Sequence, residues 1–196
     1  MARRAASELS DRPPGVLVLV IGPSGVGKDT LIGGARKALD GDKRFSFVRR
    51  LVTRPADIDL EDHVSLDPVE FGEARAAGRF ALTWEAHGLD YALPIGVDTD
   101  PTLGRVVVAN ISRHAVPGAI AKYPHCRVVQ VSAEISLRAE RLAKRGRENR
   151  DQIVARLARE GAALPADVSP IVIDNSSSVG IGITAFVMAL RRIAEE

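Results

Sequence analysis

The chain has 196 residues, 45% of them hydrophobic and 27% charged, with a net charge of +2. That length fits one α/β domain with small insertions and a core of its own. The charge balance is too even to argue for a nucleic acid or a membrane surface, and no apolar run approaches the ~18 residues of a membrane span.

Residues 1–14 carry arginines but no apolar stretch of the kind a secretory signal needs, so a flexible tail is expected there. The next stretch, 16–21, is six apolar residues, mostly β-branched: the pattern of a strand buried on both faces. Gly22, Pro23, Ser24, Gly25, Val26, Gly27 and Lys28 follow at once and spell G-x-x-x-x-G-K. Strand, glycine-rich loop and helix start together make a P-loop. Its backbone N–H groups and the positive end of the helix suit the phosphates of a nucleoside triphosphate such as ATP. A merely flexible glycine turn would lack the strand before it and the amphipathic helix after it. Position 29 departs from the usual pattern. The hydroxyl that normally follows the lysine and holds Mg²⁺ is replaced by Asp29, with Thr30 one place later. A carboxylate repels phosphate unless a metal lies between them, so Asp29 is expected to meet Mg²⁺ directly or through a water.

Leu31, Ala35 and Ala38 recur at helical spacing to about Leu39, despite Gly33 and Gly34, which each cost about 1 kcal/mol relative to alanine. Close packing against a sheet would explain them. Residues 45–53 read as a second strand carrying Arg49 and Arg50, and Pro55 leaves Arg54 at the mouth of an acidic loop over 56–62. A short strand at 63–66 precedes a helix with Asp67 as N-cap, Pro68 at its first position and Glu70 closing a capping box. Val69, Ala74 and Ala77 are its expected apolar positions, and Gly78 ends it. Residues 79–85 and 89–93 suggest a hairpin about Ala86, His87 and Gly88. It gathers Trp84, Glu85, His87 and Tyr91, although two aromatics there could equally be core residues.

From residue 105 strands and helices alternate: a strand at 106–109 ending in Asn110, a helix at 114–123, a strand at 127–132, and a helix marked by Ile135, Ala139 and Leu142. Arg138, Arg141 and Arg145 are expected on that helix's other face. Gly146 breaks it, Val154, Leu157 and Ala158 mark the next, and a last strand at 171–173 leads to a C-terminal helix. The alternation implies a parallel sheet with right-handed crossovers. The single cysteine, Cys126, rules out an internal disulfide, suits a reducing cytoplasm and reads as a small buried residue. No His/Cys cluster has the spacing of a zinc site.

Between residues 138 and 159 eight basic residues face three acids, and seven of the eight are arginine. A solvated helix face would look similar. Arginine, however, binds phosphate bidentately, and the run straddles a helix break where a lid could close over phosphates.

By these motifs the chain resembles nucleoside-monophosphate-kinase-type P-loop kinases, and among them the guanylate kinase group. The spacing of Arg141, Arg145 and Arg156 is similar to that group's lid, which implies contacts to the transferring phosphates. Asn175, after the final strand, resembles a position near the adenine. The acceptor half departs: of the group's Ser-x-Thr-Thr-Arg motif only Thr53 and Arg54 remain, and the acid that group carries after the 106–109 strand is replaced by Asn110. Asp29 after the P-loop lysine, together with Trp84-Glu-Ala-His-Gly and Tyr91-Ala-Leu-Pro, resembles instead the ribose 1,5-bisphosphate phosphokinase family of phosphonate utilisation. The resemblance spans roughly 16–193. It implies ATP-dependent phosphorylation of ribose 1,5-bisphosphate to 5-phosphoribosyl 1-diphosphate.

On that resemblance Lys28 is assigned to the β- and γ-phosphates, and Arg141, Arg145 and Arg156 to the transferring group. Arg50 and Arg54 would grip the acceptor's phosphates, while Glu85, His87 and Tyr91 would orient the ribose or a phosphate. A phosphate acceptor is already anionic, so no catalytic base is required. The expected organisation is a tail (1–14) and one kinase domain (15–196), with core 15–44, 104–137 and 164–196, acceptor-binding region 45–103 and lid region 138–163. ATP as co-substrate, Mg²⁺ and a small phosphorylated acceptor are the expected ligands, with a monomer or homodimer in the cytoplasm. The competing readings are a guanylate kinase with altered base recognition and a catalytically inactive guanylate-kinase-like binding module. Intact Gly27 and Lys28 argue against the latter.

Overall fold

The computed structural model describes residues 15–54, 63–86, 88–98, 104–144, 153, 157 and 163–196. In chain order they form β1 (Val16–Ile21), α1 (Lys28–Ala38), β2 (Phe45–Val48), β3 (Arg50–Val52), β4 (His63–Ser65), α2 (Pro68–Ala76), β5 (Phe80–Ala86) and β6 (Leu89–Pro94). There follow β7 (Val106–Asn110), α3 (Val116–Lys122), β8 (Cys126–Ser132), α4 (Ile135–Lys144), β9 (Ile171–Asp174) and α5 (Val179–Ile193). Short 3₁₀ turns lie at Ile95–Asp98 and Arg113–Ala115.

The apolar run that precedes the glycine loop is the middle strand of a five-stranded sheet ordered β2-β7-β1-β8-β9. Every pairing in it is parallel, as the alternation of strands and helices requires. Alternate residues of β1 serve different cores. Val18 and Val20 pack with Leu31 and Ala35 of α1 and Phe186 and Leu190 of α5. Leu17, Leu19 and Ile21 pack on the other face with Val116 and Ala119 of α3. A strand buried on both sides has no room for polar alternation, hence its unbroken apolar sequence.

A second sheet of four strands is ordered β4-β3-β6-β5, and it changes one expectation. Residues 45–53 are two strands rather than one. Phe47 and Val48 pair with Val108 and Ala109 in the large sheet, whereas Leu51 and Val52 pair with Ala92 and Tyr91 in the small one. The break falls at Arg49, whose Nη2 donates to the carbonyl of His63 at 3.1 Å. The chain thus steps from one sheet to the other at a single residue, and Arg50 opens the second sheet at the seam.

Local signals elsewhere hold. Asp67 accepts from the Val69 amide at 2.7 Å and its own amide donates to Glu70 at 3.2 Å, so the capping box is complete. The apolar face of α2 differs from expectation: Phe71 and Ala74 are buried, Phe71 lies 4.8 Å from the Phe80 ring, and Val69 is exposed. β5 and β6 form the expected hairpin. Gly34 allows close packing, but against α5 and not the sheet: a Cβ there would sit 2.4 Å from Ile183 Cδ1, while Gly33 faces open space. Among the described residues no helix is long and apolar enough to cross a membrane.

Candidate functional site

The loop between β1 and α1 is held from behind. Ser24 O accepts from Arg138 Nε at 3.2 Å, and Val26 O accepts from Arg141 Nη1 at 3.3 Å and Asn175 Nδ2 at 2.8 Å. In a trans peptide the N–H of the next residue points opposite to the carbonyl. Turning the carbonyls of Ser24 and Val26 toward α4 therefore turns the amides of Gly25 and Gly27 the other way, as a phosphate cradle requires. Gly27 has φ 93°, and a Cβ there would sit 2.5 Å from Asn175 Nδ2, so both the turn and the neighbour exclude a side chain. Lys28 folds over the loop, its Nζ donating to Gly22 O at 2.6 Å and Pro23 O at 3.2 Å.

Two expectations for α4 change here. Arg138, expected on its outer face, is only 3% exposed, while Ile135 is exposed. The helix lies across the loop, whose outward carbonyls need donors, and a buried guanidinium supplies one better than an aliphatic chain does. Nothing in the spacing of 138 distinguishes it from its neighbours, so only the packed structure reveals its role. Arg141, expected on the transferring phosphates, instead has its guanidinium on backbone behind the loop: Val26 O, and Asn175 O at 3.0 Å. Asn175, expected beside the adenine, uses its side-chain amide to hold Val26. Thr30 is exposed. Arg145, Arg156 and His87 lie outside the described residues.

In front of the loop, two departures noted in the sequence touch. Asn110 ends β7 beside β1, and its Nδ2 donates to Asp29 Oδ1 at 2.7 Å. Arg50 Nη2 stands 4.0 Å from the same oxygen, with its side chain only 14% exposed. Asp29, Arg50, Asn110 and Arg36 line a small recess left open at Gly33. The Arg50 guanidinium also lies 5.7 Å from the centroid of the Tyr91 ring, which stacks on Trp84 at 5.5 Å and 7°. Arg50, Tyr91 and Trp84 therefore form a continuous wall from the P-loop helix into the small sheet. Glu85 is not part of it. Trp84 pairs with Tyr91, but Glu85 pairs with Asp90 on the opposite face, as the period of two in a strand dictates. That separation was readable from the sequence once the hairpin register was drawn. Arg54 is half-buried two residues beyond β3.

Among the described residues no three His, Cys, Asp or Glu side chains gather as a metal cage. A kinase Mg²⁺ needs no such cage, because it is bound by one or two protein oxygens together with substrate phosphates. The residues present fit that arrangement: the Asp29 carboxylate stands in the first turn of α1, beside the phosphate loop, with one oxygen held by Asn110 Nδ2 at 2.7 Å.

No family model matches the chain. It is 48% identical over 185 residues to ribose 1,5-bisphosphate phosphokinase PhnN of Brucella abortus, covering 94% of this chain and 96% of that one. Another relative with the same name, from Methylobacterium radiotolerans, is 53% identical over 148 residues, 76% of this chain and 84% of the relative. Among solved structures, guanylate kinase from Anaplasma phagocytophilum superposes with a TM-score of 0.69 at 14% identity, over 94% of this chain and 89% of that one. The last likeness shows the fold alone: a parallel-sheet α/β P-loop fold.

Proposed function

The chain belongs to the ribose 1,5-bisphosphate phosphokinase family, and on that footing we propose how its residues carry the reaction. ATP gives its γ-phosphoryl group to the 1-phosphate of ribose 1,5-bisphosphate, yielding 5-phosphoribosyl 1-diphosphate and ADP. An anionic oxygen of the 1-phosphate attacks the γ-phosphorus, the bond to the β–γ bridging oxygen breaks, and ADP leaves. The attacking oxygen carries no proton at neutral pH, so the protein's task is to hold two polyanions together against their repulsion.

The amides of Gly25 and Gly27 and the Lys28 ammonium take the β- and γ-phosphates. Arg50 receives the acceptor's phosphate from the small sheet, with Tyr91 and Trp84 keeping its plane aligned, and Arg54 assists. Arg145 and Arg156 are assigned to the transferring group on sequence spacing and family likeness. Arg138, Arg141 and Asn175 keep the loop in shape. Asp29, with Asn110 holding its carboxylate, would hold Mg²⁺, which when bound would neutralise charge between the two phosphate chains. Residues 45–103 supply the acceptor side and 138–163 the covering side of one kinase domain, working in the cytoplasm on a small phosphorylated acceptor.

The observation that carries this reading is the Arg50 guanidinium 4.0 Å from Asp29, set where the P-loop helix meets the small sheet. A guanidinium at that seam suits an acceptor whose attacking oxygen is already anionic and needs charge compensation, not a base. The test is ADP release with ATP and either ribose 1,5-bisphosphate or GMP, with the product followed by ³¹P NMR. A new diphosphate signal with the sugar bisphosphate alone is expected. Turnover with GMP and none with the sugar bisphosphate would overturn the reading.

A further inference from the structure

Position 29, directly after the P-loop lysine, ordinarily carries a hydroxyl, and the neighbouring strand ordinarily ends in a metal-holding carboxylate. Here the helix carries the carboxylate and the strand end carries an amide. These departures are 81 residues apart in sequence and 2.7 Å apart in space. We infer that they are one device: Asn110 is a positioning residue that holds the Asp29 carboxylate, and together they transpose the usual division of labour between loop and strand.

Asn110 pairs with Val20 at the end of β1, level with the loop, and only 7% of it is exposed. Its amide can face Asp29 in one sense only, because a flip would set an oxygen lone pair against the carboxylate at 2.7 Å. The bond engages Oδ1, and among the described residues nothing donates to Oδ2. Helix and strand thus fix the carboxylate's rotation while one of its oxygens stays available. The helix N-terminus favours an anion at that position. The amide suits β7 better than the usual acid would: a carboxylate at 110 would face Asp29 at the same distance, and two like charges so close cannot both ionise.

This inference rests on the metal role given above to Asp29, so its test separates the two. Mn²⁺ binding to the protein–ATP complex is followed by electron paramagnetic resonance, with melting temperature as the folding control. Wild-type protein should bind Mn²⁺ more tightly with ATP than ATP does alone; equality there would end the metal role itself. Asn110→Ala should then weaken Mn²⁺ about ten- to a hundredfold, the range for residues that orient a ligand, and raise the Mg²⁺ needed for half-maximal turnover. KM for the sugar substrate at saturating Mg²⁺ should stay the same, which a merely structural role would not preserve. Asp29→Ser should weaken Mn²⁺ further, and adding Asn110→Asp should recover at least about tenfold by restoring the ordinary arrangement. Unchanged affinity in Asn110→Ala, or no recovery in the double variant, overturns the transposition.

Discussion

Arg141 and Asn175 clasp each other behind the P-loop: Arg141 Nη2 donates to Asn175 O at 3.0 Å, and both side chains converge on Val26 O. The Asn175 amide fits between two glycines. A Cβ on Gly27 would meet its nitrogen at 2.5 Å, and one on Gly182 would meet its oxygen at 2.3 Å. Asn175→Ala removes the shorter bond to Val26 and leaves a gap at the loop's turn. A stability loss of about 1–3 kcal/mol is expected, from a buried carbonyl that loses a donor. ATP affinity should fall as well, because the loop's amides are aimed by its carbonyls. Denaturant melts and calorimetric ATP titration test both. Lost stability with unchanged ATP affinity would mean that Asn175 is packing and nothing more.

The adjacent glycines of α1 should respond to alanine in opposite directions. Gly33→Ala meets nothing within 4 Å and gains helix propensity, for about 1 kcal/mol of added stability. Gly34→Ala drives a methyl into Ile183, three of whose carbons lie between 2.4 and 3.1 Å from the new atom. Ile183 is β-branched and cannot swing aside freely, so a loss of about 1–3 kcal/mol is expected. Adding Ile183→Ala to Gly34→Ala should recover part of it. Melts of the three variants decide the matter, and equal effects at 33 and 34 would contradict the packing.

These two positions also show which parts of the fold the sequence revealed. Strand, glycine loop and helix start around Val16–Lys28 were legible because each obeys a local rule that neighbours do not override. The capping box at Asp67 and the hairpin at Gly88 were legible for the same reason. Residues 45–53 were not, because an apolar stretch records burial and not which sheet supplies it. Arg138 was hidden for a related cause. Its inward turn answers loop carbonyls more than 100 residues earlier, and helical periodicity counts any arginine as outward-facing. Asn110 was visible as a departure, as was Asp29, but their contact belongs to the folded chain.

Tyr123 ties α3 to the end of the small sheet. Its hydroxyl donates to Asp98 Oδ1, and Lys122 Nζ reaches Asp98 Oδ2 at 3.0 Å and Ala81 O at 2.7 Å. Burial first, and then the bond to Asp98, push the phenol well above its ordinary value. A group that binds its proton more tightly when folded contributes stability that is whole below its unfolded pKa of about 10 and is lost as pH rises above it. Urea melts between about pH 9 and about pH 11 should therefore show a steeper decline for wild type than for Tyr123→Phe. At neutral pH the variant should be less stable by about 1 kcal/mol. Parallel pH profiles would show that the phenol does not sense its burial.

Trp84 is the chain's one tryptophan, so its emission reports on a single place. It stacks on Tyr91, and Arg50 sits 5.7 Å from that same tyrosine ring. With the acceptor's phosphate on Arg50, as proposed, the guanidinium should shift relative to Tyr91 and change the field at Trp84. Titration with ribose 1,5-bisphosphate should change the emission and saturate at the concentration that half-saturates turnover. Arg50→Ala should abolish the change and reduce kcat/KM by about a hundredfold or more, since it removes a desolvated charge from the acceptor side. Arg50→Lys keeps the charge but loses the planar fork, so it should recover only part of the loss. Flat emission during saturating turnover would place the acceptor away from this wall, and with it the role given to Arg50.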